Sequence, residues 1–384
     1  MADPKAPSVL LSVNTTWNVV NFRSGLIRAL QAAGFSVVVA SPPDAYVQAL
    51  KALGVRYEPL AMAARGTSVF ADARLWLSYR RLMQALRPDV YLAYTIKPNI
   101  FGSLAAAQLK IPVINNISGL GSMFIHRSWM TSLVSFLYRH ALKTSHTVFF
   151  QNQDDADLFL GRKLVQPAQC ALLPGSGIDL THFLAQAPSE SPAFRFLFVG
   201  RMLWEKGIGE YVAAAKMLLE SWPLTAPKPI FQVLGARDGQ ASGQVPDRQW
   251  AAWLREGLIE DLGSTHDVRP YLAQAHCVVL PSYREGTPRA LLEAAASARP
   301  MIAARVPGCV EVVREGLNGY LCEARNAKAL AACMRHMLAL SAEQRQAMGE
   351  AARSDVAARF DEQKVFSAYL QAIHTIPLNP AQRI

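Results

Sequence analysis

Cysteine is scarce in this chain and shows no pairing pattern. Cys170, Cys277, Cys309, Cys322 and Cys333 are odd in number and lack paired metal-type spacing. A disulfide framework is therefore not expected, and the thiols read as buried or incidental groups of a reducing compartment. Long apolar runs are missing as well. No stretch approaches the roughly 20 residues that cross a bilayer. The opening MADPKAPS is polar, and the VLLSV that follows is too short for the apolar part of a secretory signal. These absences set the expectation of a cytoplasmic protein. What is present is apolar bulk: 384 residues at 51% hydrophobic content and 18% charged, enough for two ordinary domains with their own cores.

Acidic residues are the minority charge, and the imbalance is local. Residues 1–185 hold 17 Lys and Arg against 9 Asp and Glu, a balance of +8, whereas residues 186–384 hold 22 against 20. The first half therefore carries the positive field. It suits an anionic partner (nucleic acid, a phosphorylated substrate or an acidic lipid surface) or serves as ordinary solubilising charge.

Apolar runs alternate with helical patterns. In the first half, strands are expected at 9–13, 36–40, 90–94, 112–117, 147–151 and 170–174, with helices near 21–33, 68–86, 98–108, 129–143 and 153–160. QAPSESPA (186–193) is polar and twice interrupted by proline, the best linker in the chain. A second series follows, with strands at 194–200, 230–235, 277–281 and 300–304 and helices near 207–220, 248–258 and from 288. Helices at 326–339, 342–357 and 361–374 close the chain. This rhythm predicts an α/β protein of two doubly wound, Rossmann-like domains in tandem, 1–185 and 194–360, with 361–384 crossing back to the first. Ligands of such sheets bind beyond the carboxyl ends of the strands, so two facing sheets would form a cleft.

One segment carries the strongest chemical signal. In EGTPRALLE, Glu285 and Glu293 lie eight residues apart across a loop-to-helix junction, just after a strand. Thr287 can cap the helix and Pro288 suits its first position. The first-turn amides would then face a phosphate. Carboxylates repel phosphate, so the two glutamates fit neutral hydroxyls on either side of it. A ligand with hydroxyls at both ends and phosphate between them is a sugar nucleotide. Upstream, Gly200 and Arg201 follow a strand and Lys206 starts the next helix. They read as a diphosphate clamp, or as a solvated turn.

These residues sit in longer blocks. VGRMLWEKG, DVRPYLAQAHCVVLPSYREGTPRALLEAAASARPMIA and VPGCVEVVREGLNGYL resemble the nucleotide-sugar domain of family 4 retaining glycosyltransferases, and LLPGSGIDLTHF (172–183) resembles the approach to the linker. That family has the two-domain glycosyltransferase-B fold, and its E-x7-E motif is met by Glu285 and Glu293. The resemblance implies that Glu293 holds the ribose hydroxyls and Glu285 a hydroxyl of the transferred sugar. It implies backbone contacts from Gly286, Thr287 and Pro288 to the sugar and from Leu291 and Leu292 to the phosphate and ribose, with Val268 and Arg269 lining the base. Arg201 and Lys206 would neutralise the leaving diphosphate in place of a metal, and no Asp-x-Asp metal motif stands out.

On the acceptor side, NTTWNVVNFRSG (14–25) lacks the glycine-rich turn common in the family and offers Asn14, Trp17 and Asn18 instead. YTIKPN supplies Lys97 and Asn99, and NNISGLGSMF supplies Ser118, Gly119 and Gly121. Both segments resemble a branch that extends lipid-linked oligosaccharides with N-acetylhexosamines. Many relatives carry a histidine near the sugar. This chain has Ser118-Gly119 in that stretch, and His126 is the nearest histidine. The segment 126–146 mixes Trp129, Leu133, Phe136, Leu137 and Leu142 with Arg127, Arg139, His140 and Lys143, a basic amphipathic helix that either lies on an anionic membrane or packs against its sheet. Arg65, Arg74, Arg80, Arg81 and Arg87 could extend that face.

The expectation is a metal-independent, retaining hexosyltransferase that moves a sugar from a UDP donor to a lipid-diphosphate-linked glycan, on the inner face of the cytoplasmic membrane. A nucleotide-sugar 2-epimerase shares the fold but needs acid and base groups around C2, and no convincing set is visible. A nucleic-acid-binding module would rest on charge alone, without a basic–aromatic motif.

Overall fold

The computed structural model describes residues 6–62, 68–120, 129–187, 191–237 and 243–377. Gly121, Arg65 and residues 126–128 of the expected amphipathic segment lie outside these ranges. The chain forms two compact units: one runs to Ser176 and takes in the segment from Glu362 onward, the other is Gly177–Asp361.

The first unit holds a seven-stranded sheet of β1 (Ser8–Ser12), β2 (Ser36–Ser41), β3 (Arg56–Pro59), β4 (Val90–Tyr94), β5 (Val113–Ile117), β6 (Thr147–Phe150) and β7 (Cys170–Leu172), in the order β3-β2-β1-β4-β5-β6-β7. The second holds β8 (Arg195–Val199), β9 (Ile230–Leu234), β10 (Glu260–Asp261), β11 (Cys277–Leu280), β12 (Met301–Ala304) and β13 (Gly319–Cys322), in the order β10-β9-β8-β11-β12-β13. The strand pairs are parallel. Central strands such as β1, β4 and β11 are buried along their whole length, which is why they read as unbroken apolar runs rather than alternations. In both units the order reverses beside the first strand of the unit, so the loops after β1 and β4, and after β8 and β11, flank a switch point where such sheets bind ligands.

Several elements differ from the sequence expectation. The helix expected at 21–33 is two helices, Thr16–Phe22 and Ser24–Ala32, broken at Arg23 (φ −131°, ψ −1°). Thr15 caps the first of them by accepting from the Asn18 amide at 3.2 Å, so helix begins at Thr16, ahead of the expected start near 21. The helix expected at 98–108 opens as one π turn, Pro98–Gly102, before Ser103–Gln108. Edge strands β3 and β10 carry little apolar signal and were not legible. Residues 177–185, read as the end of the first domain, pack with the second unit: Ile178 and Phe183 are buried in its core, and the Ile178 amide donates to Phe360 at 2.8 Å. The helix Glu362–His374 belongs to the first unit, where Val365, Phe366, Tyr369 and Ile373 join the core.

Candidate functional site

At the switch point of the second unit, backbone contact between two loops sets the geometry. The chain leaves β8 through Gly200, whose amide donates to Leu234 at 3.0 Å, and through the exposed Arg201. Met202 and Leu203 are buried and pin the loop from below. A single tight turn, Trp204–Lys206, then meets Gly207, which has φ +76° and precedes the helix Ile208–Glu220. A Cβ on Gly207 would stand 2.1 Å from the Pro281 carbonyl oxygen, so only glycine admits the loop after β11 at this point. That approach brings Lys206 Nζ to 2.5 Å from Glu285 Oε1, with the two side chains 20% and 13% exposed.

The Glu285 loop is braced on three sides. The Tyr283 amide donates to the Glu205 carbonyl at 2.9 Å, and the Tyr283 hydroxyl donates to Glu210 at 2.8 Å. Burial, then the Glu210 hydrogen bond, pushes the Tyr283 phenol up to about 12, and the Arg325 guanidinium lies 4.5 Å over its ring. On the far side the Glu285 amide donates to Pro307 at 3.3 Å, and Gly308 (φ +80°) packs so closely on Gly286 that a Cβ would stand 1.9 Å from its carbonyl oxygen.

The following helix is Arg289–Ala296, with Pro288 at its N-cap and no side-chain cap. The expected cap, Thr287, therefore lies one residue before the cap, and Pro288, expected at the first helical position, takes the cap itself. A proline cap offers no side-chain acceptor, so the first turn is closed by backbone alone: the Leu291 and Leu292 amides both donate to the Pro288 carbonyl, at 3.1 and 3.3 Å. Their side chains are buried. Glu293, 14% exposed, takes a 2.9 Å bond from Arg289 Nε, and Arg289 Nη1 also donates to Gly177 at 3.1 Å. Burial pushes the Glu293 carboxyl up; the Arg289 charge pulls it down, and the Asp267 charge adds to the rise. Asp267 takes a two-point bond from Arg269, 2.8 Å on each arm, which holds its own carboxyl below the usual range. Val268 is the N-cap of the helix Arg269–Gln274, which Arg269 opens, next to the Asp267 whose charge acts on Glu293. Arg289 was missed in the sequence, although its position four residues before Glu293 on one helix was the available signal.

The first unit carries a cavity of about 310 Å³ at the ends of β1, β4 and β5. Asn14, Lys97, Asn99, Ser118 and Gly119 line it, together with Tyr138. Trp17, 43% exposed, and Asn18 lie in the helix Thr16–Phe22 and are not among its lining residues. Thr95, also at the cavity, has φ +64°, a costly conformation for a β-branched residue. Lys97 Nζ meets Asp72 Oδ1 at 2.9 Å. Asn99 is held within the unit, donating to the Asn116 carbonyl and accepting from Asn115, each at 2.9 Å. Ser118 donates to Asn116 Oδ1 at 2.6 Å, and Asn116 donates to the Tyr369 hydroxyl at 2.9 Å.

One Asp-x-Asp string does occur, Asp155-Ala156-Asp157, but it lies inside the helix Gln153–Gly161, with Asp155 bonded by Asn152 and Asp157 by Gln153. Among the described residues there is no group of three or more His, Cys, Asp or Glu arranged to hold a metal ion. No described helix is long and apolar enough to cross a membrane. The helix Trp129–Ala141 leaves Leu133 40% and Phe136 57% exposed, with Arg139 and His140 in its last turn.

The arrangement can be set beside known proteins. Residues 193–339 match the family described as "Glycosyl transferases group 1", and residues 20–175 match "Glycosyl transferase 4-like domain". The chain is 28% identical over 330 residues to the N,N'-diacetylbacillosaminyl-diphospho-undecaprenol alpha-1,3-N-acetylgalactosaminyltransferase of Campylobacter jejuni, covering 82% of this chain and 84% of that protein. It is 25% identical over 274 residues to the UDP-Gal:alpha-D-GlcNAc-diphosphoundecaprenol alpha-1,3-galactosyltransferase of Escherichia coli, covering 67% and 68%. Among solved structures, Anabaena HepE in complex with UDP and glucose superposes with a TM-score of 0.78 at 16% identity, over 96% of this chain and all (100%) of that one. Two parallel-sheet units, a glutamate pair spaced by one helix and both family matches lead to one conclusion: the chain belongs to the family 4 glycosyltransferases and has the glycosyltransferase-B fold.

Proposed function

We propose that this enzyme transfers an N-acetylhexosamine, with retention, from a UDP donor to a lipid-diphosphate-linked glycan. The observation that carries the reading is the pairing of the two strand-end loops of the second unit, which sets Lys206 against Glu285 beside the start of a helix. A sugar nucleotide laid there meets Glu285 at the sugar, Glu293 at the ribose, and Arg201 and Lys206 at the diphosphate. In the transfer, the acceptor oxygen bonds to the anomeric carbon as the bond to the β-phosphate oxygen breaks. The acceptor proton passes to that departing oxygen, so no side-chain base is required. Stabilising the departing charge is the main catalytic task, and two cations perform it without a metal. The two bacterial relatives act on undecaprenyl diphosphate-linked sugars by name, which supports the acceptor class. The helix Trp129–Ala141, with Leu133 and Phe136 exposed beside Arg139, holds the enzyme peripherally on the anionic inner face of the cytoplasmic membrane.

A thermal-shift screen across UDP-, GDP- and ADP-sugars tests the donor, since a ligand bound to the native state raises the melting temperature by mass action. UDP-N-acetylhexosamines should shift it most, and transfer to a polyprenyl-diphosphate glycan should follow. No shift with any UDP-sugar sinks the reading. Incubation with donor alone separates it from 2-epimerisation, which would yield an epimer without acceptor.

A further inference from the structure

We infer that the cavity of the first unit takes the terminal sugar ring of the acceptor, not its diphosphate, and that the Tyr138 hydroxyl reads a polar group of that ring. The inference rests on the glycosyltransferase reading above and adds the ligand and the residue. Tyr138 is 2% exposed and packs edge-on to Phe159 at 5.3 Å. Its ring is therefore locked; Tyr138 lines the cavity, and its hydroxyl has no hydrogen-bond partner among the described residues. Other buried tyrosines are satisfied: Tyr79 by Ser12, Tyr91 by Pro98, Tyr211 by Phe196 and Tyr369 by Asn116. Tyr94 also lacks a partner, but its hydroxyl is sealed from solvent and does not line this cavity. An unpaired buried hydroxyl costs free energy, and one that opens onto a cavity recovers it when a ligand supplies the partner.

Charge and size narrow the ligand. Lys97 is the only charged residue among the described lining residues, and Asp72 neutralises it at 2.9 Å. A diphosphate would find no uncompensated cation there. The walls mix Met62, Ile96 and Ile117 with Asn14, Ser118 and Tyr138, which suits a neutral ring with an apolar face and several hydroxyl or amide groups. About 310 Å³ lies at the low end of small-ligand sites, room for one sugar unit rather than a glycan chain.

The test is Tyr138→Phe, which removes the hydroxyl and keeps the ring. The acceptor KM should rise about tenfold, the donor KM should stay within about twofold, and the melting temperature should hold or rise because no protein bond is lost. Saturation-transfer NMR, with UDP saturating the donor site, supplies the direct readout. Methyl N-acetylgalactosaminide should receive signal from the wild-type protein and less from Tyr138→Phe, and inorganic pyrophosphate should not displace it. An unmoved acceptor KM, or displacement by pyrophosphate, overturns the inference. Failure of the glycosyltransferase reading itself is distinct: the wild type would then transfer from no nucleotide sugar.

Discussion

Lys206 and Glu285, 79 residues apart in the chain, meet at 2.5 Å. Neither side chain is far from water, yet each is the nearest compensation for the other's charge. In the proposed donor pose, the diphosphate competes with Glu285 for the Lys206 ammonium. Lys206→Ala should therefore lower kcat about 10²–10³-fold, the scale seen when one stabilising donor is removed from developing negative charge. Lys206→Arg should restore part of the loss. Glu285→Ala should abolish transfer at a stability cost of about 1–3 kcal/mol. Steady-state transfer assays and denaturant melts read both quantities, and undiminished transfer in Glu285→Ala would remove the assignment.

The Glu293 carboxyl is pushed above its ordinary value by burial, against the pull of Arg289. The native state therefore holds this proton more tightly than the unfolded chain does. Stability from this group is present below the unfolded pKa and falls as pH rises through the raised one. In the proposed donor pose binding runs the other way, because the ionised carboxylate offers both oxygens as charge-strengthened acceptors to ribose hydroxyls, whereas the acid form turns one of them into a donor. Donor kcat/KM should climb as pH passes the raised value, and Arg289→Met should move that acid limb to higher pH. A limb that moves down, or not at all, would contradict the role given to Arg289.

Gly207 joins the two site loops by backbone contact. With φ +76° and a backbone oxygen 2.1 Å from any added Cβ, Gly207→Ala combines conformational strain with a clash that no rotamer relieves. Gly257 has φ +67° but open space around it. Gly257→Ala should cost only the left-handed penalty, about 1–2 kcal/mol, and leave transfer intact. Gly207→Ala should cost more and depress kcat. Urea unfolding beside transfer assays checks the ordering.

Leu133 and Phe136, three residues apart on one helix, present exposed apolar surface near Arg139. Replacing both with Ser should reduce binding to vesicles containing anionic lipid at least tenfold, since burying each apolar side chain is worth about 1.5–3 kcal/mol. Raising the ionic strength should weaken wild-type binding through screening of the basic residues. Flotation of both proteins with neutral and anionic vesicles measures this. Equal flotation of wild type and variant would place the contact elsewhere.

Much of the fold was legible because parallel strands buried on both faces must be apolar throughout. β1, β4 and β11 stand out for that reason, and so does the two-unit α/β architecture. The edge strands β3 and β10 were not legible, because an edge tolerates the polar composition of a loop. Arg23 breaks a helix that apolar periodicity alone would have continued. The neighbouring Asn115 and Asn116 illustrate the same limit at the site: two polar residues at a strand end suggest ligand contact, yet their amides serve Asn99, Ser103 and Tyr369.

The sequence by itself determined the residue spacing on which the proposed donor site rests. The Glu285–Glu293 spacing is local, one loop and little more than one turn of helix, and so are the strand-end cations. Local geometry follows from neighbours within a few residues, which is why it can be read along a line. Only the tertiary structure decided that Lys206 closes on Glu285, that Arg289 holds Glu293, and that Tyr138 brings an unpaired hydroxyl to the cavity beside Asn14, Lys97 and Ser118. The Lys206–Glu285 contact and the cavity depend on which strands are neighbours and how closely two loops pass. Strand order in a parallel sheet is set by the packing of the whole unit, and no window of sequence contains it.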